Sequence, residues 1–187
     1  MSRLNRRTAI ALFVLPLLCH PVLAETALAP EKNPPGDIPD TQAFVTYTSD
    51  LGYSCQVPEG WARSGSGASV SFVSKLDGVS VATSPLTTAP TLDWVKQTYL
   101  PDLIAKGRAV KITEVSAEKL PAGAAFKIAY TANSEPNTVT NKQIRLEANR
   151  YLFFHAGTVA ALDLYAPQGA DNVDQWQLMS RSFAWAP

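Results

Sequence analysis

Apolar and polar residues alternate with a period of two along most of the chain, the spacing of strands that turn one face to a core and the other to solvent. Ala43, Val45 and Tyr47 alternate with Phe44, Thr46 and Thr48, and Tyr53, Cys55 and Val57 alternate with Ser54 and Gln56. Pro58 then withdraws a ladder donor and Gly60 permits a turn, which delivers Trp61 as an aromatic plug for one end of the core. The Ser/Gly-rich stretch 63–68 reads as a loop; its Gly65-Ser66-Gly67 lacks the third glycine and the lysine of a phosphate cradle. Val70 and Phe72 resume the alternation between serines, Asp77-Gly78 is a hairpin dipeptide, and Val79 and Val81 follow it.

The period changes at Thr91, which can cap a helix carrying Leu92, Val95 and Tyr99 on one stripe, with Asp93 at its positive end. Pro101 lacks the donor a helix interior needs, so the helix kinks there or restarts through 102–106 and stops at Gly107. Strand patterns return around Val110, Ile112 and Val115, then at Phe126, Ile128 and Tyr130 after a turn at 121–123. The stretch 133–141 is a polar turn. In the next strand Ile144, Leu146 and Ala148 point one way and Gln143, Arg145, Glu147 and Asn149 the other, before 151–154 become apolar on both faces and place the strand inside the sheet. Gly157 turns the chain into the partner strand 159–165. The closing segment 171–183 has Asp171 as cap and Val173, Trp176, Met179 and Phe183 on one helical stripe, with Trp185 closing the core or standing out as a binding ring. Strands with one wet face and two amphipathic helices predict an α+β fold with helices against an antiparallel sheet.

The N-terminus departs from this pattern. Arg3, Arg6 and Arg7, the apolar run 9–18 and the small-residue exit at 22–24 read as a secretory signal peptide over 1–24, cleaved near Ala24. The apolar run is about half the roughly 20 residues a membrane span needs. Leu18 before Cys19 disfavours a lipoprotein site, and Ala9 after Arg6-Arg7 disfavours twin-arginine export. Residues 25–41, with Pro30, Pro34, Pro35, Gly36 and Pro39, read as a disordered linker, leaving 42–187 as one domain. Cleavage removes three of 16 basic residues and none of the 16 acidic ones, a net charge of −3, with no basic cluster for nucleic acid or for stable membrane attachment. It also removes one of two cysteines, so Cys55 has no partner for a disulfide and reads as a buried thiol.

Catalytic and metal chemistry find no constellation. His155 is the one histidine beyond residue 24, too few for a multi-histidine metal site, and no Gly-x-Ser-x-Gly elbow accompanies it as a base. The carboxylate pairs Asp171/Asp174 and Glu114/Glu118 are accounted for by a helix start and by solvated strand faces. No catalytic, cofactor-binding or metal residue is expected, and no cofactor; the protein reads as a non-enzyme.

Taken in order, the Gly52-Tyr53 strand with Val57-Pro58-Glu59-Gly60-Trp61, the Thr91-Leu92 helix start, the Tyr151-Leu152-Phe153 strand and the terminal Ser182-Phe183 resemble the PsbP-like fold family. That family includes extrinsic proteins of photosystem II, a Ran-binding import factor and bacterial exported proteins. The resemblance spans 44–185 and implies an α/β/α sandwich around an antiparallel sheet, in proteins that mostly stabilise partners. It carries over no binding residue. The expectation is an exported, periplasmic or secreted interaction or assembly factor with a protein partner in the cell envelope. A small-ligand-binding module is the alternative, to be recognised by an apolar pocket with a few convergent polar groups.

Overall fold

The computed structural model describes residues 25–186, so the expected signal peptide over 1–24 lies outside the described residues. Within the described residues, ten strands build two antiparallel sheets. A three-stranded sheet joins β1 (Phe44–Ser49), β2 (Tyr53–Pro58) and β10 (Ala184–Trp185) in the order β1-β2-β10. The large sheet has the order β3-β4-β5-β9-β8-β7-β6, from β3 (Ala62–Ser66), β4 (Ser69–Ser74), β5 (Asp77–Pro85), β6 (Lys111–Leu120), β7 (Gly123–Asn133), β8 (Arg145–His155) and β9 (Thr158–Pro167). The long strand β8 is interior, between β7 and β9, as its two apolar faces require.

The period of two sorts these strands' side chains into two cores. On one face, Leu162 and Leu164 of β9 and Phe153 of β8 pack with Tyr53, Cys55 and Val57 of β2 and with Trp176, Met179 and Phe183 from the C-terminal helix α3 (Val173–Ser182) and the residue after it. Phe183 stacks on Phe153 with ring centres 4.2 Å apart and on Tyr53 at 5.6 Å. On the other face, Ile128, Tyr130, Ala148 and Leu152 pack against Val95 and Leu103 of the helical run 92–106. Three layers result: the small sheet with α3, the large sheet, and one helical run.

That run is α1 (Leu92–Trp94), a π-helical turn (Val95–Tyr99) and α2 (Leu100–Lys106), contiguous in sequence. Thr91 caps it, its Oγ1 accepting from the Trp94 N–H at 3.1 Å. The chain neither breaks nor restarts at Pro101: the π turn ends two residues before it, at Tyr99, where a wider turn takes up a missing donor, and Gly107 ends the run as expected.

Several local expectations are corrected. Residues 62–66 form the edge strand β3, paired with β4 in register Arg63↔Phe72, because serine and glycine are tolerated where one strand edge and both faces are wet. The hairpin turn is Lys75-Leu76, with Ser74 opposite Asp77 and Lys75 at φ 55°. Gly78 instead lies inside β5 opposite Tyr165, whose ring covers it so closely that an added Cβ would sit 2.0 Å from Cζ. Asn172, not Asp171, precedes α3, and Val173 is 71% exposed while Trp176 and Met179 are buried. Trp61 is only partly buried against the core, and Trp185 is half-buried in β10, paired with Tyr53. Arg145, expected on a solvated face, is buried and donates to the Ala109 carbonyl, Asn133 and Thr131.

The segment 25–41 has no helix or strand, in keeping with its prolines, yet it is tied along the domain at successive points. Glu25 accepts from Asn133 and Gln143 and pairs with Arg108 at 3.1 Å. Glu31 pairs with Lys142. Asn172 accepts from the Ile38 N–H at 2.6 Å and donates to the Gly36 carbonyl, while the Asp171 N–H donates to Asp37. Ile38 is buried in the core. These contacts replace the free linker that composition suggests: side chains of the domain satisfy a backbone that has no ladder of its own.

Candidate functional site

The residues singled out for chemistry lie apart. Cys55 faces the core from β2, where burial pushes its thiol up to about 12, so the thiolate is suppressed. His155 is exposed at the end of β8, stacked on Trp185 with ring centres 5.6 Å apart. Glu114 pairs with Lys127, and Glu118 accepts from Ser116. Among the described residues no group of three or more His, Cys, Asp or Glu side chains is placed to hold a metal.

The large sheet creates the site. A single helix about 10 Å across cannot cover seven strands whose outer members lie about 29 Å apart, so part of the face beside the run 92–106 is open. The result is a cleft of about 850 Å³. Its floor is apolar, made by Ala132 of β7, Leu146 and Ala148 of β8 and Tyr165 of β9. Tyr99 and Leu103 form the helical wall, Glu31 and Pro35 of the N-terminal segment with the 134–142 loop form the opposite one, and the Lys75-Leu76 turn closes an end. The volume lies in the range of small-molecule sites.

Charged and polar side chains such as Glu31, Lys106, Arg108 and Lys142 stand around the cleft, and one buried polar cluster adjoins its apolar floor. Arg150 of β8 and Asp163 of β9 are cross-strand partners, and the Arg150 Nη2 lies 2.5 Å from Asp163 Oδ2. The Tyr130 hydroxyl donates to both oxygens of Asp163, at 2.8 and 3.0 Å, and accepts from Arg150 at 3.2 Å. Arg150 also donates to the Tyr99 hydroxyl at a long 3.4 Å. Side-chain exposure is 20% for Arg150 and 12% for Asp163, so the pair is largely withdrawn from water. Burial alone would pull the guanidinium down, but Asp163 more than offsets this and holds its pKa above the usual value. Burial first, then the charge of Asp163, pushes the Tyr130 phenol up, so it stays a neutral donor. The Arg150 Nε–H is enclosed and has no partner.

Sequence reasoning missed this cluster. Its signal was a charge inside each of two strands apolar on both faces: Asp163 in the run 159–166, and Arg150 just before 151–154. In a parallel or central strand such a charge requires a partner.

A smaller hollow of about 240 Å³ lies between the N-terminal segment and the β4–β5 turn, lined by Trp61, Asp37 and Asp77. Asp77 is 7% exposed and its enclosed Oδ1 accepts no hydrogen bond. Burial, then repulsion from Asp37, raises its pKa to about 7 against a smaller opposing effect of Lys75. No helix among the described residues is long and apolar enough to cross a membrane.

No protein-family model matches the chain, and no curated protein matches it by sequence. Solved structures do. The chain is similar to cyanobacterial PsbP from Synechocystis, at 16% identity over 80% of this chain and 98% of that one, with a TM-score of 0.52. It is also similar to the Ran-binding protein Mog1p of Saccharomyces cerevisiae, at 11% identity over 78% of this chain and 96% of that one, with a TM-score of 0.51. Identities this low speak to architecture alone, and the architecture is the PsbP-like fold, an α+β sandwich around a large antiparallel sheet.

Proposed function

We propose that this protein is an exported, non-catalytic binding module of the cell envelope, and that its recognition site is the cleft beside the helical run 92–106. The observation that carries the reading is the cleft's composition: an apolar floor built from three neighbouring strands, with one buried, hydrogen-bonded polar cluster at a defined place. That is the makeup of a site that orients a ligand without transforming it. Cys55 is held as a thiol in the core, and His155 stands in the open at a strand end, so neither supplies a nucleophile or base to the cleft. Export rests on the ordered basic, apolar and small-residue regions over 1–24.

A second reading, an assembly factor with a protein partner in the envelope, draws on the fold: Mog1p is a Ran-binding protein with the same architecture. Native mass spectrometry of the protein isolated from a periplasmic fraction separates the two. The cleft reading expects a mature chain beginning at Glu25 that carries a small-molecule adduct, lost in a Leu146→Asp variant that still melts cooperatively. An adduct-free chain in a stoichiometric complex with one other protein would establish the second reading instead. Retention of residues 1–24 would overturn export.

A further inference from the structure

We propose that the cleft takes an uncharged amphiphile, a molecule with an extended hydrocarbon body and a single neutral oxygen head such as an alcohol, ester or amide, and that Arg150 holds the head. The inference rests on the cleft being the binding site and adds the chemical class of its occupant.

The body follows from the floor. Ala132, Leu146 and Ala148 offer methyl and isobutyl groups and no donors, and Leu103 and Leu76 continue that surface up the wall and the closing turn. Leu76 is 36% exposed, an apolar group at the mouth with no protein partner that hides it. Burying hydrocarbon there returns about 25 cal/mol per Å² removed from water, so the length of a ligand's chain sets its affinity.

The head follows from counting donors. A guanidinium has five N–H groups and no acceptor. Nη2 gives one to Asp163 and one to Tyr130, and Nη1 reaches Tyr99 at 3.4 Å. The Nε–H has no partner but is enclosed, so the donor left for a ligand is the second Nη1 hydrogen, which no described side chain claims. The cluster therefore has a donor to spare. It has no charge to spare: Asp163 neutralises the guanidinium at 2.5 Å, and the Tyr130 phenol stays protonated. A carboxylate head would set a second negative charge beside Asp163 where little water screens it, an unfavourable arrangement. Of the cations at the rim, Lys106, Arg108 and Lys142 are matched with Asp102, Glu135 and Glu31; Lys75, in the closing turn, makes no salt bridge among the described residues and has Asp77 as its charged neighbour. A neutral acceptor takes the spare Nη1 donor without that repulsion.

The test compares 1-decanol, decyl acetate and decanoate by calorimetric titration of the mature chain near neutral pH, below the solubility limit of the alcohol and ester and the micellar concentration of decanoate. The expected order has decanol and decyl acetate binding about tenfold or more tighter than decanoate. Replacing Arg150 alone would strand a buried Asp163 and could unfold the protein, so the diagnostic variant is the double change Arg150→Met with Asp163→Leu, which removes both charges. It should melt cooperatively and bind decanol about tenfold more weakly. Decanoate binding as tightly as decanol, or unchanged decanol affinity in the double variant, overturns the neutral-head assignment. If native adducts are found while none of the three probes binds, the cleft remains a binding site and its occupant is of another class.

Discussion

Asp77 gives the sharpest quantitative expectation, because one substitution isolates one buried charge. It opens β5, is 7% exposed, encloses an oxygen without a donor and faces Asp37 across the small hollow under the N-terminal segment. Its pKa of about 7 in the fold compares with 3.8 for a free aspartate. The folded protein thus holds a proton that the unfolded chain has already released. Stability contributed by the neutral carboxyl is complete below about pH 4 and is lost as pH rises towards 7, flattening above it. At about 1.4 kcal/mol per pKa unit, ionisation costs the folded state at most about 4 kcal/mol, a large part of the roughly 5–15 kcal/mol that holds a domain together. Asp77→Asn keeps the shape and removes the charge. Thermal melts of both proteins at half-unit steps from about pH 3.5 to 8 should nearly coincide at the acid end. They should then diverge, with the variant melting at least about 5 °C higher at pH 8. Parallel curves across this range would refute the buried, ionisation-resistant carboxyl and with it the close docking of the 36–38 segment over β5.

Three further expectations use other parts of the fold. Cys55 should resist thiol reagents in the native protein at pH values where a free cysteine reacts, and label fully on unfolding, since burial pushes its thiol to about 12; rapid native labelling would misplace β2. Trp176→Ala should cost about 3–5 kcal/mol in urea unfolding, whereas Trp61→Ala, at a partly exposed hollow, should cost visibly less; equal losses would restore Trp61 as a core plug. Gly78→Ala should destabilise strongly because its Cβ would meet the Tyr165 ring at 2.0 Å, and Tyr165→Ala introduced with it should recover part of the loss, a non-additivity read from a double-mutant cycle.

Strand alternation carried most of the architecture, because each strand with one buried face writes that face into a period of two. Tyr53, Cys55 and Val57 occupy one core, as their spacing demands, and Thr91 caps the run at 92–106 through a bond implied by its side chain. What was not legible depended on partners far along the chain. Asp77-Gly78 has the composition of a turn, but Gly78 is fixed by Tyr165 in a strand more than eighty residues later. Segment 25–41 is proline-rich and apolar-poor, and residues that hold it, Asn133, Lys142 and Asn172 among them, stand far along the chain. The cleft was illegible for the same reason: it is an area the helix leaves bare, and no local pattern records an absence of cover. Arg150 and Asp163 were readable as isolated charges in buried strands, yet their mutual register appears only once β8 and β9 are paired.

The claim that the face beside the run 92–106 is the binding site is tested most directly by backbone amide shifts during titration of the mature, ¹⁵N-labelled chain with 1-decanol. Saturable shifts should converge on Leu103, Ala132, Leu146, Ala148 and Tyr165, residues from one helix and three strands that together line the cleft. Shifts confined to α3, β1 or β2 on the opposite face, or no saturable shift at any accessible concentration, would contradict it.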